Sequence, residues 1–393
     1  MHLSRRDFLT ASMAAACSAA ALPGFTRMSF ASAPGDKRFV AIILRGAMDG
    51  LDAVQPYGDP FLRKLRRNLS LGPEAGALDL DGFFALHPAL APLMPMWTAG
   101  ELAFAHAVST PYRDKRSHFD GQDILEAGTE TSPGPSSPDG GWLNRLLPLL
   151  PESRLDTAYA VGTDELSIMR GDAAYSSWAP EARLNMSAQA QDLLQSLYES
   201  DPPFQSAAET AIQISLADKG NQTAEGGKQS AAEALASFTA SRLNNDTRIA
   251  AFSLTGWDTH HRQDRIITRP LDQLATALNV LKRDLGKNWQ NTVVMAMTEF
   301  GRTVRENGTG GTDHGTGGLS VLAGGAVRGK VMHDAWPGLD DSDLYAGRDL
   351  MPVADVRSYA GAVLAGLFGL PPSAVEGRIF PGVDMTQARK VLL

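Results

Sequence analysis

The stretch that decides the fold runs from residue 249 to 297. It reads Ile249-Ala250-Ala251-Phe252-Ser253-Leu254, then Thr255-Gly256-Trp257-Asp258-Thr259-His260-His261, then a segment with Leu271, Leu274, Leu278 and Leu281, and finally Thr292-Val293-Val294-Met295-Ala296-Met297. The first and last pieces are short, continuously apolar runs, as strands covered on both faces require. Between them the leucines recur at helical spacing after Pro270, which predicts an amphipathic crossover helix over Pro270–Leu285. A strand, a helix and a second strand of this kind make a parallel β-α-β unit.

Two further apolar runs of the same kind lie upstream, Arg38–Leu44 and Leu102–Val108, and another, Leu319–Ala323, lies downstream. Helices are predicted over Ser117–Ala127 and Val356–Phe368, the latter stopped by Gly369-Leu370-Pro371-Pro372. The expected architecture is therefore an α/β domain with a mostly parallel sheet and helices on both faces. Residues 155–245 change character to Ala, Ser and Gln, with helices over Ala188–Tyr198 and Ser230–Leu243 and a polar break at Gly220–Gly227. This region is expected to be a mainly helical insertion capping the sheet edge. Gly128–Gly141 reads as an exposed loop.

The N-terminus carries Ser4-Arg5-Arg6-Asp7-Phe8-Leu9, an Ala-rich apolar stretch to Leu22, and Ala31-Ser32-Ala33 before Pro34. A charged region with paired arginines, a short apolar region and a small-residue cleavage site predict a twin-arginine signal peptide over 1–33, a periplasmic or secreted destination, and the twin-arginine machinery as partner. The apolar stretch is too short to span a bilayer well, and no later segment approaches a membrane span. The single cysteine, Cys17, falls within this signal. A mature chain of roughly 360 residues would contain no thiol, which removes disulfides, Cys-ligated zinc and Cys nucleophiles from consideration.

The formal net charge of −8 disfavours nucleic acid as a partner. Local basic clusters exist at Arg63-Lys64-Leu65-Arg66-Arg67 and at Arg113, Lys115 and Arg116. The first reads as a solvated helix face. The second lies beside a candidate site, where it would steer an anion.

Polar groups gather where the predicted strands end, the edge at which parallel sheets bind ligands. Asp49 follows the first strand in Arg45-Gly46-Ala47-Met48-Asp49-Gly50, either as a turn-forming Asp or as a metal ligand. Asp258 converges with His260 if the backbone there is extended, and with His261 if it has begun a helix. Glu299 follows Thr292–Met297 and precedes Phe300-Gly301-Arg302, so an ion pair with Arg302 is its alternative role. Asp313 and His314 sit in a Gly-rich stretch, one as a ligand and the other orienting it. Ser117 and His118 open a helix; the Ser117 hydroxyl is either a helix cap or a nucleophile beside an anion site, with Ser109 in Ser109-Thr110-Pro111-Tyr112-Arg113 as competitor. Ser117 and Arg302 stand as catalytic candidates. The metal candidates are Asp49, His118, Asp258, His260, Glu299, Asp313 and His314. His87, His106 and His333 read as structural. Oxygen and imidazole donors without sulfur suit zinc or manganese first, then magnesium or calcium.

The motifs Arg-Gly-Ala-Met-Asp-Gly-Leu-Asp around Asp49, Arg-Ser-His-Phe-Asp-Gly-Gln-Asp around His118, Gly-Trp-Leu-Asn-Arg at 141–145, Gly-Trp-Asp-Thr-His around Asp258 and Thr-Glu-Phe-Gly-Arg-Thr followed by Asp-His-Gly resemble one family. It is the twin-arginine-exported bacterial family known as domain of unknown function 1501, within the alkaline-phosphatase and sulfatase superfamily. The resemblance covers nearly the whole mature chain and implies a three-layer alkaline-phosphatase-like fold. It also implies a metal-dependent hydrolase or transferase of small anionic phosphate or sulfate esters, with one or two divalent ions and a hydroxyl nucleophile. By that resemblance Asp49 takes the place of the first-strand metal Asp, Asp258 and His260 the ligands of one metal, Glu299 the first residue of an Asp-His pair, His314 the last histidine and Ser117 the nucleophile. Phe300 departs from the pattern by standing where the pair has its histidine, so a second metal lacks a ligand unless His118 or Asp313 supplies one. A phosphate mutase, and an exported binding or assembly protein that keeps the fold without turnover, are the competing classes.

Overall fold

The computed structural model describes residues 35–70, 72–113, 115–133, 140–151, 153–179, 230–332, 336–387 and 391–393. The expected signal, Cys17, His333, the Ala188–Tyr198 helix and the Gly220–Gly227 break lie outside them.

Among the described residues, nine strands form one sheet: β1 (Arg38–Arg45), β2 (Leu102–Ser109), β3 (Ala158–Val161), β4 (Ser176–Trp178), β5 (Ile249–Thr255), β6 (Thr292–Met297), β7 (Gly318–Ala323), β8 (Val331–Met332) and β9 (Ala354–Asp355). The order across the sheet is β8-β2-β7-β6-β1-β5-β3-β4, with β9 also paired to β2. Strand β1 lies at the centre, parallel to β5 on one side and to β6 on the other. Only β7 runs antiparallel to its neighbours, β2 and β6.

Alternation along β1 explains the layers. Val40, Ile42 and Leu44 enter one core, packed with helices α2 (Ala231–Leu243) and α3 (Thr268–Leu285). Phe39, Ala41 and Ile43 enter the opposite core, packed with Leu125 of α1 (His118–Ala127) and Tyr359, Val363, Leu364 and Leu367 of α4 (Val356–Phe368). All seven of Arg38–Leu44 are buried, which is why the strand reads as continuously apolar instead of alternating. The result is a three-layer α/β domain with a mostly parallel sheet.

Of the stretch 155–245, expected as a mainly helical cap, residues 155–179 and 230–245 fall among those described. Its described part contributes β3 and β4 to the main sheet, parallel to β5 and to each other, and α2 packs on α3 within one of the two cores. The sequence Ala158-Tyr159-Ala160-Val161 hides its strand because alanine carries no strand preference of its own.

Candidate metal centre

The antiparallel turn of β7 creates the site. Residues after β6 leave the sheet at the rim where β7 begins, so Glu299, Arg302, Asp313 and His314 reach one edge. Two crossing segments are clamped there by Gly301 N–H to the Thr316 carbonyl at 3.1 Å, Gly315 N–H to the Gly301 carbonyl at 2.8 Å and Thr303 N–H to the Asp313 carbonyl at 2.9 Å. A side chain at Gly301 would collide with the Gly317 carbonyl, so the close approach requires glycine. This crossing sets His314 opposite Arg302 in an antiparallel bridge.

Around Oδ1 of Asp258 three imidazoles converge. Nε2 of His260 lies 3.0 Å away, Nε2 of His314 3.3 Å and Nε2 of His118 3.4 Å. Nε2 of His260 is also 2.9 Å from Nε2 of His314. Ligand atoms of His118, Asp258 and His314 all fall within 4.8 Å of one another, the one such group among the described residues.

The opposite ring nitrogen of each histidine faces an acceptor. Nδ1 of His118 is 2.7 Å from Oε1 of Glu299, Nδ1 of His260 is 3.3 Å from Oδ1 of Asp313, and Nδ1 of His314 is 2.9 Å from the Arg116 carbonyl. A carbonyl or carboxylate accepts, so in the neutral rings the proton sits on Nδ1 and the Nε2 lone pairs turn inward. Three inward lone pairs and a carboxylate oxygen repel one another unless a cation or protons lie between them. Nε2 of His118 is a buried atom with no hydrogen-bond partner. That orphaned nitrogen and the donor set both fit a divalent transition metal.

Charge in the site follows the same contacts. Asp258 and then Glu299 hold the His118 imidazolium up to about 9, against the opposing effect of burial. Burial would raise the Asp258 carboxyl, yet the neighbouring His118, His314 and Arg302 hold it well below the usual carboxylate range. Asn307, then His260, lower Asp313. In Glu299 the burial effect is likewise outweighed by His118, and its carboxyl is lowered.

Of the sequence candidates, His118, Asp258, His260 and His314 meet directly, and Asp313 touches His260 from outside. His261 is exposed and takes no part, because the chain after β5 is irregular through His260 and turns helical only at Gln263. Asp49 is not brought to the cluster. Its Oδ1 caps the helical turn Gly50–Ala53 through Leu51 N–H at 3.1 Å, and its Oδ2 receives Arg66 Nη1 at 2.8 Å and Gln263 Nε2 at 2.7 Å. The fully buried Arg66 therefore belongs to an internal ion pair and not to a solvated face.

Arg302 does not pair with Glu299. Its guanidinium donates to the carbonyls of Ala47, Thr312, Gly46 and Trp257 and to Asp258 at 2.6 Å, and it is 1% exposed. It has no open face for a substrate anion. Ser117 caps α1 by accepting from Asp120 N–H at 3.4 Å and remains partly exposed, whereas Ser109 is buried and accepts from Arg113 at 3.1 Å. Phe300 stacks on His118, ring centroids 5.2 Å apart, as a wall of the site. His87 and His106 are buried, burial lowers each to about 4, and His106 bonds the Val54 carbonyl.

Several residues here escaped sequence reading. Gln122 shares Glu299 with His118, and a helical spacing of four between them was the available signal. Gln263 accepts from Thr259 at 2.9 Å and from Thr312 at 2.8 Å, tying together the two loops that carry Asp258, His260 and His314. Nothing in the local sequence marks it.

A family model described as "Protein of unknown function (DUF1501)" matches residues 106–378, more than half of the chain. The chain belongs to the DUF1501 family. No curated protein matches. Among solved structures, this DUF1501 member is similar to a protein in the alkaline phosphatase superfamily from Vibrio parahaemolyticus, at 11% identity over 90% of this chain and 72% of that one, TM-score 0.36. It is also similar to the C-terminal periplasmic domain of EcEptC from Escherichia coli, at 10% identity over 91% and 92%, TM-score 0.36. A third is Ps i-CgsB in complex with k-i-k-neocarrahexaose, at 11% identity over 86% and 74%, TM-score 0.35. Likeness at this level carries nothing about chemistry.

Proposed function

We propose that the protein is an exported, metal-dependent hydrolase of phosphate or sulfate esters, built on one zinc or manganese ion held by His118, Asp258, His260 and His314. The observation that supports it is the inward convergence of three Nε2 atoms on one carboxylate oxygen, each ring fixed by an acceptor behind it. A divalent ion bound there would supply Lewis-acid polarisation of an ester oxygen.

The chain's own groups have separate tasks. Arg302 holds Asp258 and the surrounding carbonyls in place. Ser117, next to His118 and at the start of α1, is the hydroxyl best placed to attack, since Ser109 is buried. Arg116 lies against the site through its carbonyl on His314, and the basic segment 113–116 would draw an anionic ester toward the rim. Phe300 shields one side of His118 from water. Turnover of aryl phosphates and aryl sulfates, before and after chelation, tests the reading: the expected result is activity lost on chelation, restored by zinc or manganese, and absent in Ser117→Ala. Absence of turnover on both panels with metal bound would favour the second reading, an exported binding protein that retains the metal. The capping bond of Ser117 and the ring of Phe300 support that alternative.

A further inference from the structure

The hydrogen bonds of Glu299 point to a role other than ligation. Its carboxylate is fully buried, and Oε1 receives main-chain N–H groups of Gly46 at 3.0 Å and Ala47 at 3.1 Å, Nδ1 of His118 at 2.7 Å and Nε2 of Gln122 at 3.3 Å. Oε2 receives the Thr298 hydroxyl at 3.0 Å. A carboxylate oxygen offers about two lone-pair directions, so the four donors on Oε1 leave that oxygen none for an ion, while Oε2 faces Thr298, whose hydroxyl is shared with the Leu44 carbonyl at 2.9 Å. Ala47 reaches its position with φ of 59°, a left-handed backbone that a β-carbon disfavours. Such strain at a turn aimed at one oxygen marks a constraint imposed by the surroundings.

Resting on the metal reading above, we propose that Glu299 is a positioning residue that stays outside the coordination sphere and aims His118 Nε2 at the ion. Turn 45–49, α1 and the end of β6 are joined through this one carboxylate. Gln122, one helical turn beyond His118, grips the same oxygen and keeps the α1 face in register with it. The residue that a resemblance places among the ligands is thus the partner behind a ligand.

The test measures cobalt(II) absorption and zinc affinity, by competition with a chromophoric chelator, on the wild-type chain and on Glu299→Gln, Gln122→Ala and His118→Ala. In Glu299→Gln the cobalt bands should keep their energies and intensities while zinc affinity falls about 10–100-fold. Gln122→Ala should move affinity the same way by a smaller factor, again with unchanged bands, and covers the case in which Glu299→Gln does not fold. His118→Ala should change the bands. A spectrum altered in Glu299→Gln as in His118→Ala overturns the proposal by making Glu299 a ligand. Unchanged affinity in both glutamate and glutamine variants overturns it by removing the positioning role. A wild-type chain that binds neither ion overturns the metal reading itself, and is distinguished from those outcomes by the wild-type measurement alone.

Discussion

Nη2 of Arg302 lies 2.6 Å from Oδ1 of Asp258, the oxygen on which the three histidines converge. The cation behind that carboxylate is itself buried and bound to four carbonyls, so it cannot leave with a substrate or swing toward one. Truncation to Arg302→Ala should therefore destabilise the fold by about 3–5 kcal/mol, because it leaves four carbonyls around the buried guanidinium without their donor. Urea unfolding of the metal-free protein measures this. A loss below about 1 kcal/mol, the size of an exposed ion pair, would contradict the buried-clamp role.

Asp49 and Arg66 give the second prediction. Their ion pair is fully buried at 2.8 Å, and Arg66 also donates to the carbonyls of Val304 and Thr303. Arg66→Met should cost about 3–5 kcal/mol, since it also breaks this buried pair. Asp49→Asn should leave the metal stoichiometry of the folded protein unchanged, as measured by elemental analysis; loss of an ion would return Asp49 to the ligand set.

The pH dependence of stability should carry a signature of Asp52. Burial, then the neighbouring Asp49, raise its carboxyl to about 7, while Gln263, Arg66 and Gln55 oppose the rise. An acid whose folded pKa lies above its unfolded value near 4 takes up a proton on folding. Its favourable contribution is complete below about pH 4 and disappears as pH climbs through about 7. Asp52→Asn should remove that slope, so that the stability difference between variant and wild type grows between pH 4 and pH 8 in favour of the variant. Paired denaturant melts across this range check it, and parallel curves would show Asp52 to be ionised throughout.

How far the sequence foretold this molecule depends on which force placed each residue. Strands buried on both faces announce themselves, so Thr292–Met297 and Ile249–Leu254 were readable, as was α4 over Val356–Phe368. Strand β3 was not, because its alanines fit a sheet only through neighbours far away in the chain. In the site, polar residues placed directly after β5 and β6 and the Gly-rich stretch around His314 made a converging cluster legible. The division into ligands, supporting acceptors and internal ion pairs was not. Asp49 and Asp258 both follow parallel strands, and only Arg66, 17 positions beyond Asp49 and turned inward, separates their fates. Likewise, Glu299 and Arg302 are close in sequence yet face different partners, since the turn at Gly301 sends one carboxylate to α1 and one guanidinium to Asp258.

Gln263 supplies a fourth prediction. Its Nε2 donates to both Asp49 and Asp52 at 2.7 Å, and its Oε1 accepts from Thr259 and Thr312, all within a fully buried setting. Gln263→Leu should cost about 1–3 kcal/mol by leaving those groups unsatisfied, and should weaken metal binding by loosening both ligand loops. Calorimetric zinc titration of the folded variant checks the second effect; wild-type affinity with lowered stability would mean that the loops hold their register without it.

Metal content of the purified chain, taken together with its melting temperature before and after chelation, tests the central claim most directly. The prediction is one zinc or manganese ion per chain, a fall in melting temperature when it is stripped, recovery on its return, and loss of both effects in His314→Ala. A wild-type chain that takes up neither ion, and melts at the same temperature with and without chelator, would contradict a metal centre at Asp258.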